Sequence, residues 1–167
     1  MSSDFVIQQL SERHDRTAFS SGVDALDRYL KVQAGQDIRR NFARCLVATP
    51  TTGSTVVAYY TLAATSISVL DLPDEIKRRL PRYQSIPAAP IGRLAVDRTF
   101  RRRGLGTALL VDAVERALKS ELAAFALVVD AKDEAAARFY RRHQFQPLQR
   151  EGRTFFLPLA EFRSKVP

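Results

Sequence analysis

The feature that most constrains this 167-residue chain lies at its middle. There an apolar run, Ile91-Gly92-Arg93-Leu94-Ala95-Val96-Asp97, passes without a linker into Arg98-Thr99-Phe100-Arg101-Arg102-Arg103-Gly104-Leu105-Gly106 and then into a helix-patterned segment. A strand that runs through a glycine turn into a helix aims several backbone N–H groups at one place, where the helix dipole adds about half a positive charge. Such a turn suits phosphate. Gly104 and Gly106 have no Cβ to hold a ligand away from the backbone, and Arg101, Arg102 and Arg103 bring charge that matches a pyrophosphate and an extra ribose phosphate. The competing explanation is a solvated arginine run before an ordinary glycine turn, because short glycine motifs recur by chance. Two other phosphate motifs fail: Leu109 stands where a dinucleotide fingerprint needs a small residue, and the Gly-Lys-Ser/Thr ending of a P-loop is missing.

Around this segment the chain alternates strand and helix patterns. Phe5 to Gln9 alternates weakly, and Leu26, Tyr29, Leu30 and Gln33 fall at helical spacing in a segment expected to run toward Arg39. Cys45 to Ala48 and the β-branched, aromatic stretch Thr55 to Val69 read as two strands joined by a turn-prone loop. Between Asp71 and Pro90 the composition turns to proline and charge, an insertion with a short helix at Asp74 to Leu80. From Leu105 the residues Ala108, Leu109, Ala113, Val114, Ala117 and Leu118 form one apolar stripe. Ala126 to Val129 reads as a buried strand, Asp133 as the cap of a helix from Glu134 to about Arg142, and Phe145 to Gln149 with Thr154 to Leu157 as a closing hairpin. The order β-α-β-β-(α)-β-α-β-α-β-β is that of a mixed α/β chain around one central sheet, and the length suits a single domain over residues 1–167.

Composition removes several classes of function. The sole cysteine, Cys45, and two histidines, His14 and His143, exclude a disulfide framework and a cysteine-based zinc site, so no metal is expected. Residues 1–15 contain no apolar block of signal-peptide length, and no run approaches the ~18 apolar residues of a membrane span; a cytoplasmic protein is expected. With 26 Lys and Arg against 18 Asp and Glu the formal charge is +8, which suits nucleic acid or a phosphorylated cofactor without choosing between them.

The pattern Arg101-x-x-Gly104-x-Gly106, following the strand Gly92 to Asp97 and opening an amphipathic helix, resembles the acetyl-CoA loop of the GNAT acetyltransferase superfamily. The later strand, then Asp133-x-x-Ala136-x-x-x-Tyr140, then Phe145, resembles the second half of the same fold. More narrowly, Leu26-Asp27-Arg28-Tyr29-Leu30, Gln36-Asp37, Tyr59-Tyr60-Thr61-Leu62, Leu80-Pro81-Arg82-Tyr83, Ile86-Pro87, Val129-Asp130-Ala131 and Phe155-Phe156-Leu157-Pro158 resemble the TacT-like toxins of bacterial toxin–antitoxin pairs. This resemblance implies a GNAT fold, in which a mixed central sheet with a splayed strand pair is flanked by helices. It further implies an acetyl-CoA-dependent N-acetyltransferase that acetylates the α-amino group of aminoacyl-tRNA and blocks translation. A ribbon-helix-helix antitoxin, a homodimer, and operator DNA reached only through the antitoxin complex are the implied partners. The implied acetyl-CoA contacts are the backbone of Leu94, Ala95 and Val96, the loop Arg101, Arg102, Arg103, Gly104, Leu105, Gly106 and Thr107, and Asp133, with Tyr140 as catalytic acid. Two positions depart from the usual pattern: Asp133 replaces an Asn that donates an amide hydrogen bond, and Gln144 replaces a Gly.

For each of these residues a plainer role competes. Leu94 and Val96 can be core side chains, leaving only their backbone to function, and Tyr140 can be an aromatic packed beside Phe139. Arg93 can face the acceptor or pair with a buried acid. The clusters Lys77-Arg78-Arg79-Arg82, Arg39-Arg40-Arg44 and Arg138-Arg141-Arg142 can hold tRNA phosphates or be solvated faces. Cys45 reads as a small buried hydrophobe, and His143 as a residue at a helix C-terminus. The strand carries no carboxylate before Asp97, which can be a turn cap. An amine with a reference pKa of ~7.8 is about 14% neutral at pH 7, against roughly 0.04% for lysine at ~10.4, a difference of about 300-fold. A site without a built-in base therefore suits an α-amine. The rival functions are acetylation of a small amine or a protein N-terminus, and a non-catalytic basic RNA-binding module.

Overall fold

The computed structural model describes residues 4–150 and 152–165. Eight strands form a mostly antiparallel sheet flanked by helices. They are hydrogen-bonded in the order β1-β2-β3-β5-β6-β8-β7, with β4 also on β5. The strands are β1 (Phe5–Gln9), β2 (Arg44–Pro50), β3 (Ala58–Leu62), β4 (Thr65–Ser68), β5 (Ser85–Val96), β6 (Ala126–Asp130), β7 (Gln146–Pro147) and β8 (Thr154–Pro158). The helices are α1 (Asp24–Arg28), α2 (Ala34–Arg39), α3 (Asp74–Lys77), α4 (Leu105–Lys119) and α5 (Glu134–Arg142). The chain divides into two compact units, Met1–Ala63 with Ile91–Ala113, and Ala64–Pro90 with Val114–Pro167.

The first unit contains β1, β2, β3 and the end of β5, each antiparallel to the next. Alternate residues of these strands face opposite ways. Cys45, Val47, Tyr59 and Ala95 join Phe19, Tyr29, Leu30 and Ala34 in one core, while Tyr60 turns to the other face and donates a hydrogen bond from its hydroxyl to Asp112 on α4 (2.7 Å). Burial on both faces explains why Cys45 to Ala48 is apolar without interruption. Between α1 and α2 the residues Tyr29–Gln33 form a π-helical turn, so the helix expected from Leu26 toward Arg39 is present but locally underwound, with one residue absorbed in the wider turn.

The second unit has its own core, in which Ile67, Val69, Leu72, Ile86 and Ala88 pack with Ala126, Val128, Leu148 and Phe156. Here β4 pairs with the start of β5, β6 with β8, and β7 with β8 in the expected hairpin. Two strand boundaries differ from the sequence expectation. Thr55 to Val69 is two strands, β3 and β4, interrupted at Ala63-Ala64, although Leu62 opposite Ile91 and Thr65 opposite Ala88 continue one register along β5. Strand β5 begins at Ser85 rather than after Pro90. Pro87 is tolerated because its carbonyl points away from β4 and accepts the Phe125 N–H (2.8 Å), so the N–H it lacks is not one the β4 ladder uses.

Candidate active site

Strand β5 carries an irregularity at the glycine of its motif. Tyr60 opposes Leu94 but Leu62 opposes Ile91, so β5 has one residue more than β3 between these pairs, a β-bulge at Gly92-Arg93. The buried Thr61 fills it, its Oγ1 accepting the Arg93 N–H at 3.0 Å. A Cβ on Gly92 would lie 3.1 Å from that oxygen, a close approach that favours glycine. Beyond the bulge only Ala95 is fully buried; Leu94 and Val96 are half-buried, so reading their side chains as core overstated their burial.

At the end of the strand Asp97 caps a short 3₁₀ turn, Arg98–Phe100. One carboxylate oxygen accepts the N–H and hydroxyl of Thr99 (2.9 and 2.7 Å), and the other accepts the Ser20 N–H (3.0 Å). Burial pushes this carboxyl up, but those hydrogen bonds and the nearby Arg98 charge outweigh burial and hold it below the usual carboxylate range. Arg98 N–H in turn donates to the Ser20 carbonyl at 2.9 Å, and the Arg101 guanidinium donates to the Ser21 carbonyl. Ser20-Ser21 thus braces the loop from outside, a tie between residues nearly eighty positions apart that local pattern does not show. Arg101 is consequently a loop anchor as well as a charge.

The loop then takes two left-handed residues, Arg102 (φ 64°) and Gly104 (φ 76°), before α4 starts at Leu105. Arg102 pays about 1–2 kcal/mol for a conformation its side chain disfavours, a strain of the kind found at binding turns. The N–H groups of Arg102, Arg103, Gly104, Leu105 and Gly106 have no acceptor among the described residues. Space beside Gly104 is open, with nothing within 4 Å of a Cβ placed there. Arg103 lies 5.0 Å over the Phe100 ring, and Thr107 sits in the first turn of α4. Consecutive donors without partners, open space and flanking guanidinium groups fit an anion such as a diphosphate.

Among the described residues Arg93 pairs with no acid, and its guanidinium lies 3.6 Å over the Tyr29 ring. Cys45 is buried and its thiol is pushed up to about 12 by burial, which leaves it an inert hydrophobe.

Tyr140, Asp133 and Gln144 belong to the second unit. Asp133 caps α5 by accepting the Ala136 N–H (2.8 Å), so this oxygen serves the helix and the carboxylate has no proton to donate to a cofactor. Tyr140 is buried, its ring between Phe139 and Phe145 at centroid distances of 5.3 Å each. Its hydroxyl has no hydrogen-bond partner among the described residues. Burial pushes the phenol up to about 12 and keeps it protonated at neutral pH. Gln144 adopts φ 72°, so the position where glycine is usual does have a positive φ and the side chain tolerates the strain. His143 ends α5 with Nδ1 2.8 Å from the Phe139 carbonyl.

Of the basic residues in this unit, Lys77 pairs with Asp74 (3.3 Å) and the Arg78 Nε donates to the Asp74 carbonyl (3.4 Å). Arg79 and Arg82 are exposed with no partner among the described residues. Arg141 pairs with Glu134 (3.2 Å), while Arg138 and Arg142 are exposed. Among the described residues no group of three His, Cys, Asp or Glu is placed to hold a metal, and no helix is long and apolar enough to cross a membrane.

Comparison with known proteins bears on this geometry. An acetyltransferase (GNAT) domain family matches residues 52–147, more than half of the chain. A probable toxin TacT of Sinorhizobium fredii is 32% identical over 161 residues, 91% of this chain and 89% of its own length. A tRNA-acetylating toxin of Mycobacterium tuberculosis is 34% identical over 141 residues, 83% and 82% of the two chains. The fold superposes on AtaT complexed with acetyl-methionyl-tRNAfMet with a TM-score of 0.89 at 28% identity, covering 97% of this chain and 99% of that one. It also matches AtaTR bound with AcCoA (TM-score 0.83, 27% identity, 98% and 99% covered). An AtaT variant bound to the C-terminus of the antitoxin AtaR gives a TM-score of 0.82 at 25% identity, with 97% and 98% covered. The bulged strand, the turn of unpartnered amides before α4 and the whole-length likeness converge: this chain belongs to the GNAT acetyltransferase family.

Proposed function

We propose that the chain transfers the acetyl group of acetyl-CoA to the α-amino group of aminoacyl-tRNA and thereby blocks translation, as the toxin of a toxin–antitoxin pair. The observation that carries this reading is the state of Asp97. No residue of β5 carries a carboxylate, and Asp97, directly after its last residue, has both oxygens taken up by three hydrogen bonds that hold it ionised as a cap. A site in which this carboxylate is committed in this way suits an amine that is substantially neutral without a base, as an α-amine is and lysine is not. The likeness to a tRNA-acetylating toxin and to AtaT with acetyl-methionyl-tRNA supports the same acceptor.

In this reading the amides of Arg102 to Gly106, with the charges of Arg101, Arg102 and Arg103 and the first turn at Thr107, hold the diphosphate. The backbone of Leu94, Ala95 and Val96 beside the bulge receives the pantetheine arm and polarises the thioester carbonyl. The amine nitrogen attacks that carbonyl, a C–N bond forms, the C–S bond breaks, and the ammonium proton leaves to water. Tyr140 stabilises the departing thiolate through a hydrogen bond. Complete transfer from a phenol near 12 to a thiolate of reference pKa ~8.5 is uphill by roughly 5 kcal/mol, so the bond itself is the contribution. Asp133 has no donor role toward coenzyme A here. Lys77, Arg78, Arg79 and Arg82, with Arg93, serve the tRNA. Residues 1–167 act as one GNAT domain, dimeric and cytoplasmic, held by a ribbon-helix-helix antitoxin whose complex alone reaches operator DNA.

Charged tRNA incubated with labelled acetyl-CoA tests the reading. Label on the α-amine of the aminoacyl group is the expected result. Label only on a small amine or a peptide N-terminus, or no binding of acetyl-CoA at all, overturns it.

A further inference from the structure

Arg93 is a half-buried cation whose guanidinium has neither an ion pair nor a hydrogen bond among the described residues. Among the described residues its guanidinium meets the face of Tyr29, 3.6 Å from guanidinium carbon to ring centroid. Removing an arginine from part of its water without a counter-charge is costly, and stacking on a ring compensates only partly while leaving the in-plane N–H donors free.

Tyr29 is itself firmly held. Its hydroxyl donates to Asp37 (2.8 Å), its ring stacks on Tyr59 at 6.3 Å and 14°, and the Tyr59 hydroxyl donates to the Leu26 carbonyl (2.7 Å). The π turn makes the first of these bonds possible. Eight residues of uninterrupted α-helix would rotate Asp37 by about 80° from Tyr29, whereas a π turn absorbs one residue and leaves the two within about 20° of one face. The turn begins at Tyr29 itself, whose carbonyl accepts the Ala34 N–H five residues on.

We propose that Tyr29, anchored by Asp37 across the π turn, is a positioning residue that presents the Arg93 guanidinium to a phosphate at the 3′ end of the acceptor RNA. This rests on the aminoacyl-tRNA reading above and adds to it the residue that orients the contact. An RNA acceptor end offers an anion that a free amine or peptide terminus does not, which accounts for an unpaired arginine on the motif strand.

The test measures kcat and KM for charged tRNA, KM for acetyl-CoA, and Tm, across wild type, Arg93→Ala, Tyr29→Leu, Tyr29→Phe and the Tyr29→Leu/Arg93→Ala double variant. Arg93→Ala should raise KM for charged tRNA about 10-fold or more and reduce its salt slope by about one charge, with KM for acetyl-CoA unchanged. Tyr29→Leu should raise the same KM by about 3–30-fold, the range of a cation–π contact, and add nothing once Arg93 is gone. Tyr29→Phe, which keeps the ring and loses the tether to Asp37, should give a KM between those of wild type and Tyr29→Leu. The proposal falls if Tyr29→Leu and Tyr29→Phe leave KM for charged tRNA at the wild-type value, or if the Tyr29→Leu effect persists in full without Arg93. A wild-type enzyme that acetylates a small amine but not charged tRNA removes the functional reading and this inference together. A normal wild-type enzyme with additive variants removes this inference alone.

Discussion

The two compact units hold their site residues by opposite means. In the first, the entry to the loop is over-determined by polar ties: Asp97 accepts three hydrogen bonds, and Ser20 and Ser21 receive Arg98 and Arg101. In the second, Tyr140 packs its ring against Phe139 and Phe145, and its hydroxyl has no hydrogen-bond partner among the described residues. A turn that binds through its backbone must fix that backbone, and hydrogen bonds with defined geometry do so. In the mechanism proposed above the phenol meets a leaving group with its oxygen unengaged, and apolar packing fixes the ring without occupying the hydroxyl. Precision in one place and availability in the other come from the choice of polar or apolar support.

The sharpest way to break this comparison is to remove the untethered hydroxyl. Tyr140→Phe keeps both ring contacts and should lower kcat about 100-fold, worth about 2.7 kcal/mol, without changing KM for acetyl-CoA. Because burial raises the phenol to about 12, its proton persists as pH rises, and Tyr140 should impose no alkaline limb on kcat below about pH 10. An alkaline limb near pH 8 that vanishes in Tyr140→Phe would contradict the apolar account of this residue.

On the polar side, Asp97→Ala leaves the Ser20 and Thr99 donors without acceptors and should cost about 2 kcal/mol, lowering Tm by roughly 4–8 °C in a thermal melt. The sign with pH follows from the depressed carboxyl. Its contribution is present above the unfolded value of ~3.9 and is lost as pH falls through the lower folded value. The stability gap between wild type and Asp97→Ala should therefore narrow only below about pH 4.

Gly104→Ala separates binding from folding in the same loop. The site is open but φ is 76°, so a methyl group costs about 1 kcal/mol of strain and displaces the amides; KM for acetyl-CoA should rise several-fold with little loss of Tm. Gln144→Gly is the smallest effect and has the opposite sign. Relief of a left-handed residue at φ 72° should stabilise the second unit by about 0.5 kcal/mol in a denaturant titration, with kcat unaltered.

Much of this arrangement is written locally. The strand–turn–helix from Ile91 to Lys119, the capped helix from Asp133 to Arg142 and the closing hairpin follow from periodicity, glycine placement and a capping carboxylate, all of which act over a few residues. The break of Thr55 to Val69 into two strands and the early start of β5 are not legible in this way, because Leu62-Ala63-Ala64 is an unbroken apolar run without a turn residue and prolines ordinarily end strands. The bulge at Gly92-Arg93 also escapes local reading, since it exists only as a mismatch in length with β3.

By itself, the order of residues in this chain determined which segments would be helix or strand, where amides would be left unpaired before α4, and that Tyr140 would sit on the helix capped by Asp133. Only the tertiary structure decided that Asp97 joins its turn to Ser20, that Ser20-Ser21 braces the loop, and that the Arg93 guanidinium rests on Tyr29. The physical reason is range. Propensity, capping and periodicity are properties of neighbours along the chain, whereas hydrogen bonds between Ser20 and Asp97, and the stacking of Arg93 on Tyr29, depend on which distant residues the folded sheet brings within a few ångströms.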